Sequence, residues 1–167
     1  MLDKQKPIYT STFGNINTYT IYVAALMAIS MILFTQEKNQ KRMMWYYGNM
    51  LLSAFALIMG NSDNAYLSLA AIFGLSPLWL FKTKTGIRKY MISLASFFTV
   101  IWCIEWINNA YASSVLGISS VFDLIAGHKF LPVLIAALWI ISGILVFLDK
   151  KSKVSRTYTE ETNKILI

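Results

Sequence analysis

Charged residues are scarce in this sequence. Only 14% of its 167 residues are Asp, Glu, Lys or Arg, against about 25% in a typical soluble domain. Hydrophobic residues make up 56% of the chain, which argues against a water-soluble globular protein. The net charge is +7, but the Lys and Arg residues lie in short clusters between apolar runs, as in the loops of membrane proteins. No nucleic-acid partner is therefore predicted.

Cysteine and histidine are each present once. Cys103 lies inside an apolar run and cannot form an internal disulfide. His128 would need carboxylates from three other segments to hold a metal, and no ligand spacing supports this. A catalytic base role for His128 lacks a substrate geometry. Glycine-rich phosphate loops and Ser/His/Asp sets are also absent, so we predict no cofactor, no metal and no catalytic residue.

Long apolar runs dominate what is present. They predict an all-α fold, a polytopic transmembrane helix bundle with about five spans and one short interfacial or re-entrant helix at Val115–Ala126. The predicted spans are residues 16–34, 43–60, 65–81, 90–107 and 130–148. Residues 1–15 form an outer N-terminal segment and residues 149–167 a polar, frayed cytoplasmic tail in this topology. Ala70 and Gly74 in the third span predict close packing against another helix.

The distribution of positive charge predicts the orientation. If the N-terminus lies outside, twelve of the fifteen Lys and Arg residues face the cytoplasm. Positive charge is retained on the cytoplasmic side of bacterial and other membranes. Lys4 and Lys6 oppose this orientation, a conflict that would vanish if Met1 were not the natural start. The sequence thus predicts a multi-pass protein of the cytoplasmic membrane with its C-terminus inside.

Polar residues then gather on the outer rim. Amides, carboxylates and neighbouring aromatic rings suit sugar hydroxyls, which need paired donors and acceptors and stack on ring faces. The candidate glycan or lipid-carrier ligands are Asn15, Asn17, Asn61, Asp63, Asn64 and Glu105. The alternative is that these are ordinary turn and cap residues at helix ends. Glu105, close to the membrane interface, equally fits a purely structural role.

Two short motifs carry a family resemblance. Thr12-Phe13-Gly14-Asn15-Ile16-Asn17 enters the first span, and Gly60-Asn61-Ser62-Asp63-Asn64 opens the third. Together with the basic loops between spans, they resemble the O-antigen ligase and polymerase superfamily over residues 11–90. Members join glycans carried on polyprenyl diphosphate to a lipid or another glycan outside the cytoplasmic membrane. The resemblance implies membrane lipids and a polyprenyl-linked glycan as partners, and polysaccharide assembly as the process.

The chain departs from the family at two points. Members have more spans and a large outer loop with Arg residues and a His, for which this sequence has no counterpart. Many members carry Arg where this chain has Asp63, which would repel diphosphate. We therefore expect a glycosyltransferase-type ligase or polymerase, if any activity is present, only together with a partner chain that supplies the rest of the fold.

Two other function classes stay open. A small transporter or channel subunit would use Glu105 and a kink at Pro77 to line a pathway, and it would require oligomers. A non-enzymatic scaffold or immunity protein would need neither a glycan nor a pathway. Flux in proteoliposomes distinguishes the first alternative, and genomic context distinguishes the second.

Overall fold

The computed structural model describes residues 14–60, 62, 64–111 and 130–165, with the backbone alone for residues 150–165. Within these ranges every regular element is an α-helix, which confirms the all-α class. The helices are α1 (Ile16–Gln36), α2 (Gln40–Met59), α3 (Asn64–Leu80), α4 (Lys84–Ala110) and α5 (Phe130–Ile165). The short helix predicted at Val115–Ala126 lies outside the described residues.

Side-chain caps define where three of the helices begin. Asn15 Oδ1 accepts from the backbone N–H of Asn17 at 2.8 Å and starts α1. Asn39 does the same for the first turn of α2, and Thr83 for α4. An oxygen at this position satisfies a backbone donor that the first helical turn leaves without a partner. The polar residues between the apolar runs therefore fix the helix boundaries.

Helix α1 lies at the centre of the bundle and packs against α2, α3 and α4. Met27 and Met31 on α1 are almost fully buried, as are Leu57 and Ile58 on α2 and Ile101 on α4. Helix α5 lies at the periphery and packs mainly on α4. The core is thus built mainly by α1 to α4, and α5 adds Leu131.

Buried hydroxyl groups occur among these apolar side chains. Thr20, Ser93 and Ser142 are at most 2% exposed, and each donates to the carbonyl four residues earlier, at 2.8, 2.9 and 2.8 Å. A hydroxyl that bonds its own helix needs no water and lets helices approach closely. This pattern is compatible with an interior built for an apolar environment.

Three helices are long and apolar enough to cross a membrane: α1, α4 and the Phe130–Asp149 part of α5. Helix α3 is apolar but has only 17 residues, the lower end of the roughly 17–25 needed for a span. The outside of the bundle exposes many large apolar side chains, among them Leu52, Leu67 and Phe147. A surface of this kind is rare on soluble monomers, which seldom expose large apolar patches.

Two features differ from the sequence-based expectation. Ala70 and Gly74 are exposed, and a Cβ added at Gly74 would meet nothing within 4 Å. The prediction that this pair packs closely against another helix is wrong among the described residues, because α3 turns its other face, with Ala65 and Leu69, to the core. Helix α5 also continues past the apolar run to Ile165, where no Gly or Pro interrupts it.

Candidate functional site

Asn17 is the centre of a hydrogen-bonded group of side chains that we call the amide cluster: Asn15, Asn17, Ser62 and Asn64. Asn17 Oδ1 accepts from Asn64 Nδ2 at 2.9 Å and from Ser62 Oγ at 3.4 Å. Its backbone N–H donates to the Asn15 cap. The first turn of α1 is thereby tied to the start of α3, and the two sequence motifs meet at one end of the bundle.

The amide cluster retains groups that can bind a ligand. Asn15, Asn17 and Asn64 are exposed, whereas Ser62 is buried. Each Asn side chain offers two N–H donors and an acceptor oxygen. Hydrogen bonds engage Asn17 Oδ1 and Asn64 Nδ2, whereas Asn17 Nδ2 and Asn64 Oδ1 form no hydrogen bond among the described residues. Such donor–acceptor pairs match the hydroxyl groups of a sugar.

Packing beneath the cluster holds it in place. The Tyr19 hydroxyl donates to the carbonyl of Ala56 at 3.2 Å and links α1 to the last turn of α2. A Cβ on Gly60 would lie 3.1 Å from Tyr19 Cε1, closer than side chains normally pack. Gly60, the first residue of the second motif, therefore lets Tyr19 of α1 approach the end of α2 closely.

Glu105 is not joined to the amide cluster by the hydrogen bonds of the described residues. Its Oε1 accepts from Asn109 Nδ2 at 3.1 Å, one turn further along α4. Helix α4 ends at Ala110, at the same end of the bundle as the start of α1, because its other end contacts the C-terminus of α1. Asn61, Asp63 and His128 lie outside the described residues.

The opposite end of the bundle contains a buried cation that the sequence does not reveal. Lys89 is 6% exposed, and its Nζ donates to the carbonyls of Phe34, Thr35 and Glu37 at 2.8, 3.3 and 2.9 Å. The last carbonyls of a helix lack intrahelical partners and attract positive charge. The last turn of α1 has no basic residue of its own to donate to these carbonyls. The sequence does not show that the donor comes from α4.

Tyr90 donates to a backbone carbonyl of α3 that has no partner within its own helix. Pro77 has no N–H and cannot bond the carbonyl of Phe73, four residues earlier. The Tyr90 hydroxyl donates to that carbonyl at 2.9 Å, and its ring contacts Phe73 edge to face. The residue pair Lys89 and Tyr90 thus docks the start of α4 onto both α1 and α3.

Further polar contacts complete this basic end. Arg88 forms an ion pair with Asp149, which brings α5 to the same end. The Glu37 carboxylate accepts from the N–H groups of Asn39 and Lys38 at 2.9 and 2.8 Å. These hydrogen bonds, that of Asn39 first, lower the pKa of the Glu37 carboxyl below its ordinary value. All cations with described side chains lie at this end: Lys38, Lys41, Arg42, Lys82, Lys84, Arg88 and Lys89.

The two ends therefore differ in chemistry as well as in position. No family model, curated protein or solved structure matches this chain. Among the described residues, no three His, Cys, Asp or Glu side chains lie close enough to hold a metal ion. The described polar groups offer hydrogen-bond donors and acceptors at the amide end and cations at the basic end.

Proposed function

We propose that the chain is an integral membrane protein of cell-surface polysaccharide assembly, with its amide cluster on the outer face of the cytoplasmic membrane. In this proposal the cluster binds the glycan of a polyprenyl-diphosphate-linked substrate. Asn61 and Asp63, which flank Ser62 in the sequence, and Glu105 belong to the same outer rim. The chain corresponds to the membrane portion of an O-antigen ligase or polymerase and does not catalyse transfer on its own.

The contact between Asn17 and Asn64 is the observation that carries the glycan part of the proposal. The resemblance to the ligase and polymerase superfamily rests on two motifs that are far apart in the sequence. Their side chains meet at 2.9 Å, and both residues are exposed. The return of α2 brings the starts of α1 and α3 to the same end of the bundle, and the contact between Asn17 and Asn64 joins the polar side chains of the two motifs into one surface.

The membrane part is supported by the surface and by the charge distribution. Apolar side chains cover the outside of the bundle, and three helices are long and apolar enough to span a bilayer. The described Lys and Arg residues all lie at one end, which corresponds to the cytoplasmic side by the positive-inside rule. The amide cluster then faces the compartment where lipid-linked glycans are joined.

A partner chain belongs to the proposal as well. The exposed Ala70 and Gly74 leave a flat strip on α3, and α5 covers little more than α4. A second membrane protein with the remaining spans and the basic outer loop would supply the cations that a diphosphate requires. We expect such a partner to copurify with this chain from native membranes in mild detergent.

The direct test is binding of a lipid-linked oligosaccharide to the chain in nanodiscs. Asn17→Ala removes the hub of the cluster and should weaken binding about tenfold, the worth of one or two hydrogen bonds. Asn108→Ala is the matched control, because it removes an amide near the same end but outside the cluster. Unchanged binding after Asn17→Ala combined with Asp63→Ala would remove the glycan site from the account.

A further inference from the structure

A cavity with two chemically different parts opens at the basic end. Its polar part, of about 900 Å³, lies between the connection of α1 to α2 and the start of α4. Its apolar part, of about 490 Å³, lies between α2 and α4. Gln40, Met43, Arg88 and Lys89 line both parts, so the two form one continuous cleft, which we call the basic cleft.

The polar part of the basic cleft carries cations with unused binding capacity. Lys38, Lys82 and Arg88 line it, and Glu37 is its one acidic lining residue among the described side chains. The Glu37 carboxylate is already engaged by backbone N–H groups. Lys82 lies with its Nζ 5.1 Å from the centre of the Trp79 ring. The buried Lys89 gives its N–H groups to carbonyls, and Arg88 is already paired with Asp149. An incoming anion would therefore meet Lys38 and Lys82 first.

The apolar part has a lining that suits a hydrocarbon chain. Its walls are Phe34, Met43, Met44, Tyr47, Ile92 and Val146. Methionine side chains adapt to flexible ligands because they have several rotatable bonds. A soluble anion would occupy the polar part alone and leave the apolar part empty.

We propose that the basic cleft is a binding site for one anionic phospholipid of the phosphatidylglycerol type. The phosphate lies between Lys38 and Lys82, and one acyl chain lies along Met43 and Ile92. Cationic pockets between membrane helices on the cytoplasmic side are suited to anionic headgroups. This inference rests on the membrane placement in the proposed function, but it is independent of glycan binding.

Two double variants with the same loss of charge test the site. Lys38→Gln with Lys82→Gln removes two cations that line the cleft. Lys41→Gln with Lys84→Gln removes two exposed cations from the same end that do not line it. Native mass spectrometry of protein released from detergent micelles that contain equal amounts of phosphatidylglycerol and phosphatidylcholine counts the lipid retained by each.

We expect the wild-type chain to retain phosphatidylglycerol in preference to phosphatidylcholine. The first double variant should bind it about tenfold more weakly, whereas the control should change less than twofold. An excess of soluble glycerol 3-phosphate should not displace the lipid, because it cannot fill the apolar part.

Three results would overturn the inference. Equal losses in the two double variants would mean that the lipid responds to the general positive charge of this end. Equal retention of phosphatidylcholine would remove the role of the cations, and displacement by glycerol 3-phosphate would reduce the site to a plain anion site. Since the assay contains no glycan and micelles expose both ends, its failure would leave the glycan site and the orientation to their own tests.

Discussion

The two ends of the bundle are held together in different ways. At the basic end, buried side chains from α4 satisfy backbone carbonyls of α1 and α3. At the amide end, exposed side chains bond one another. Buried polar partners are costly to remove, whereas exposed hydrogen bonds exchange readily with water. We therefore expect the loss of a buried partner at the basic end to destabilise the bundle more than the loss of an exposed hydrogen bond at the amide end.

Removing the buried cation should have the largest effect on stability. Lys89→Met keeps the side-chain length but leaves the carbonyls of Phe34, Thr35 and Glu37 without their donor. We expect the free energy of unfolding in detergent to fall by about 3 kcal/mol. The control Lys84→Met removes an exposed cation from the same helix and should change it by less than about 0.5 kcal/mol. Equal stability of the two variants would contradict the comparison.

Gly86 at the start of α4 should be the next most sensitive position. A Cβ there would lie 2.1 Å from the carbonyl oxygen of Leu80 and 2.8 Å from Thr83 Oγ1, the capping atom. Gly86→Ala should therefore displace the cap and cost about 2 kcal/mol. Gly143→Ala meets nothing within 4 Å and should be neutral or slightly stabilising. Thermal unfolding of both variants measures the contrast, and a harmless Gly86→Ala would refute it.

The Tyr90 hydroxyl should contribute a smaller amount that depends on Pro77. Tyr90→Phe leaves the Phe73 carbonyl unpaired and should cost about 1 to 2 kcal/mol. In a Pro77→Ala background the new backbone N–H can bond that carbonyl, so the same substitution should cost clearly less. A double-mutant cycle measures this coupling. Additive effects would show that the hydroxyl does not replace the missing N–H.

At the amide end, the loss of a hydrogen-bonding hub should barely affect stability. Asn17→Ala should lower the free energy of unfolding by less than about 1 kcal/mol, because its partners can turn to water. Chemical denaturation of Asn17→Ala and Lys89→Met under the same conditions compares the losses in the free energy of unfolding at the two ends. A loss as large as that of Lys89→Met would mean that both ends are structural.

The smallest effect concerns Glu37. Since its folded-state pKa is lowered, the charged carboxylate stabilises the turn at neutral pH, and this contribution disappears as the pH falls through the folded-state pKa. Glu37→Gln should flatten this part of the dependence of the melting temperature on pH. Parallel profiles for the two proteins between neutral and acidic pH would contradict the expectation.

The sequence predicted the all-α class better than the helix boundaries or the contacts between helices, since α2 begins three residues and α4 six residues before the predicted spans. Asn15 and the apolar run after it were sufficient to place the start of α1, because capping is a local interaction. The burial of Lys89 could not be predicted in this way. Its position in a basic run indicated a solvated loop, and only the three-dimensional approach of α4 to α1 explains its exposure of 6%.

The candidate site shows the same division. The two motifs were recognisable as sequence, and the contact of Asn17 with Asn64 brings them together. Helical periodicity is sufficient to predict the hydrogen bond between Asn109 and Glu105, since the two residues lie four positions apart on one helix. The packing of Gly60 against Tyr19 could not be predicted from the sequence, because it depends on how α1 and α2 cross.

The most direct test of the account is the side of the membrane on which each end lies. In a Cys103→Ser background, Tyr111→Cys marks the amide end and Thr85→Cys the basic end, both at exposed positions. A membrane-impermeant maleimide added to intact cells should label Cys at position 111 at once and at position 85 only after permeabilisation. Labelling of position 85 from outside would place the basic end in the external medium and contradict both the orientation and the glycan site.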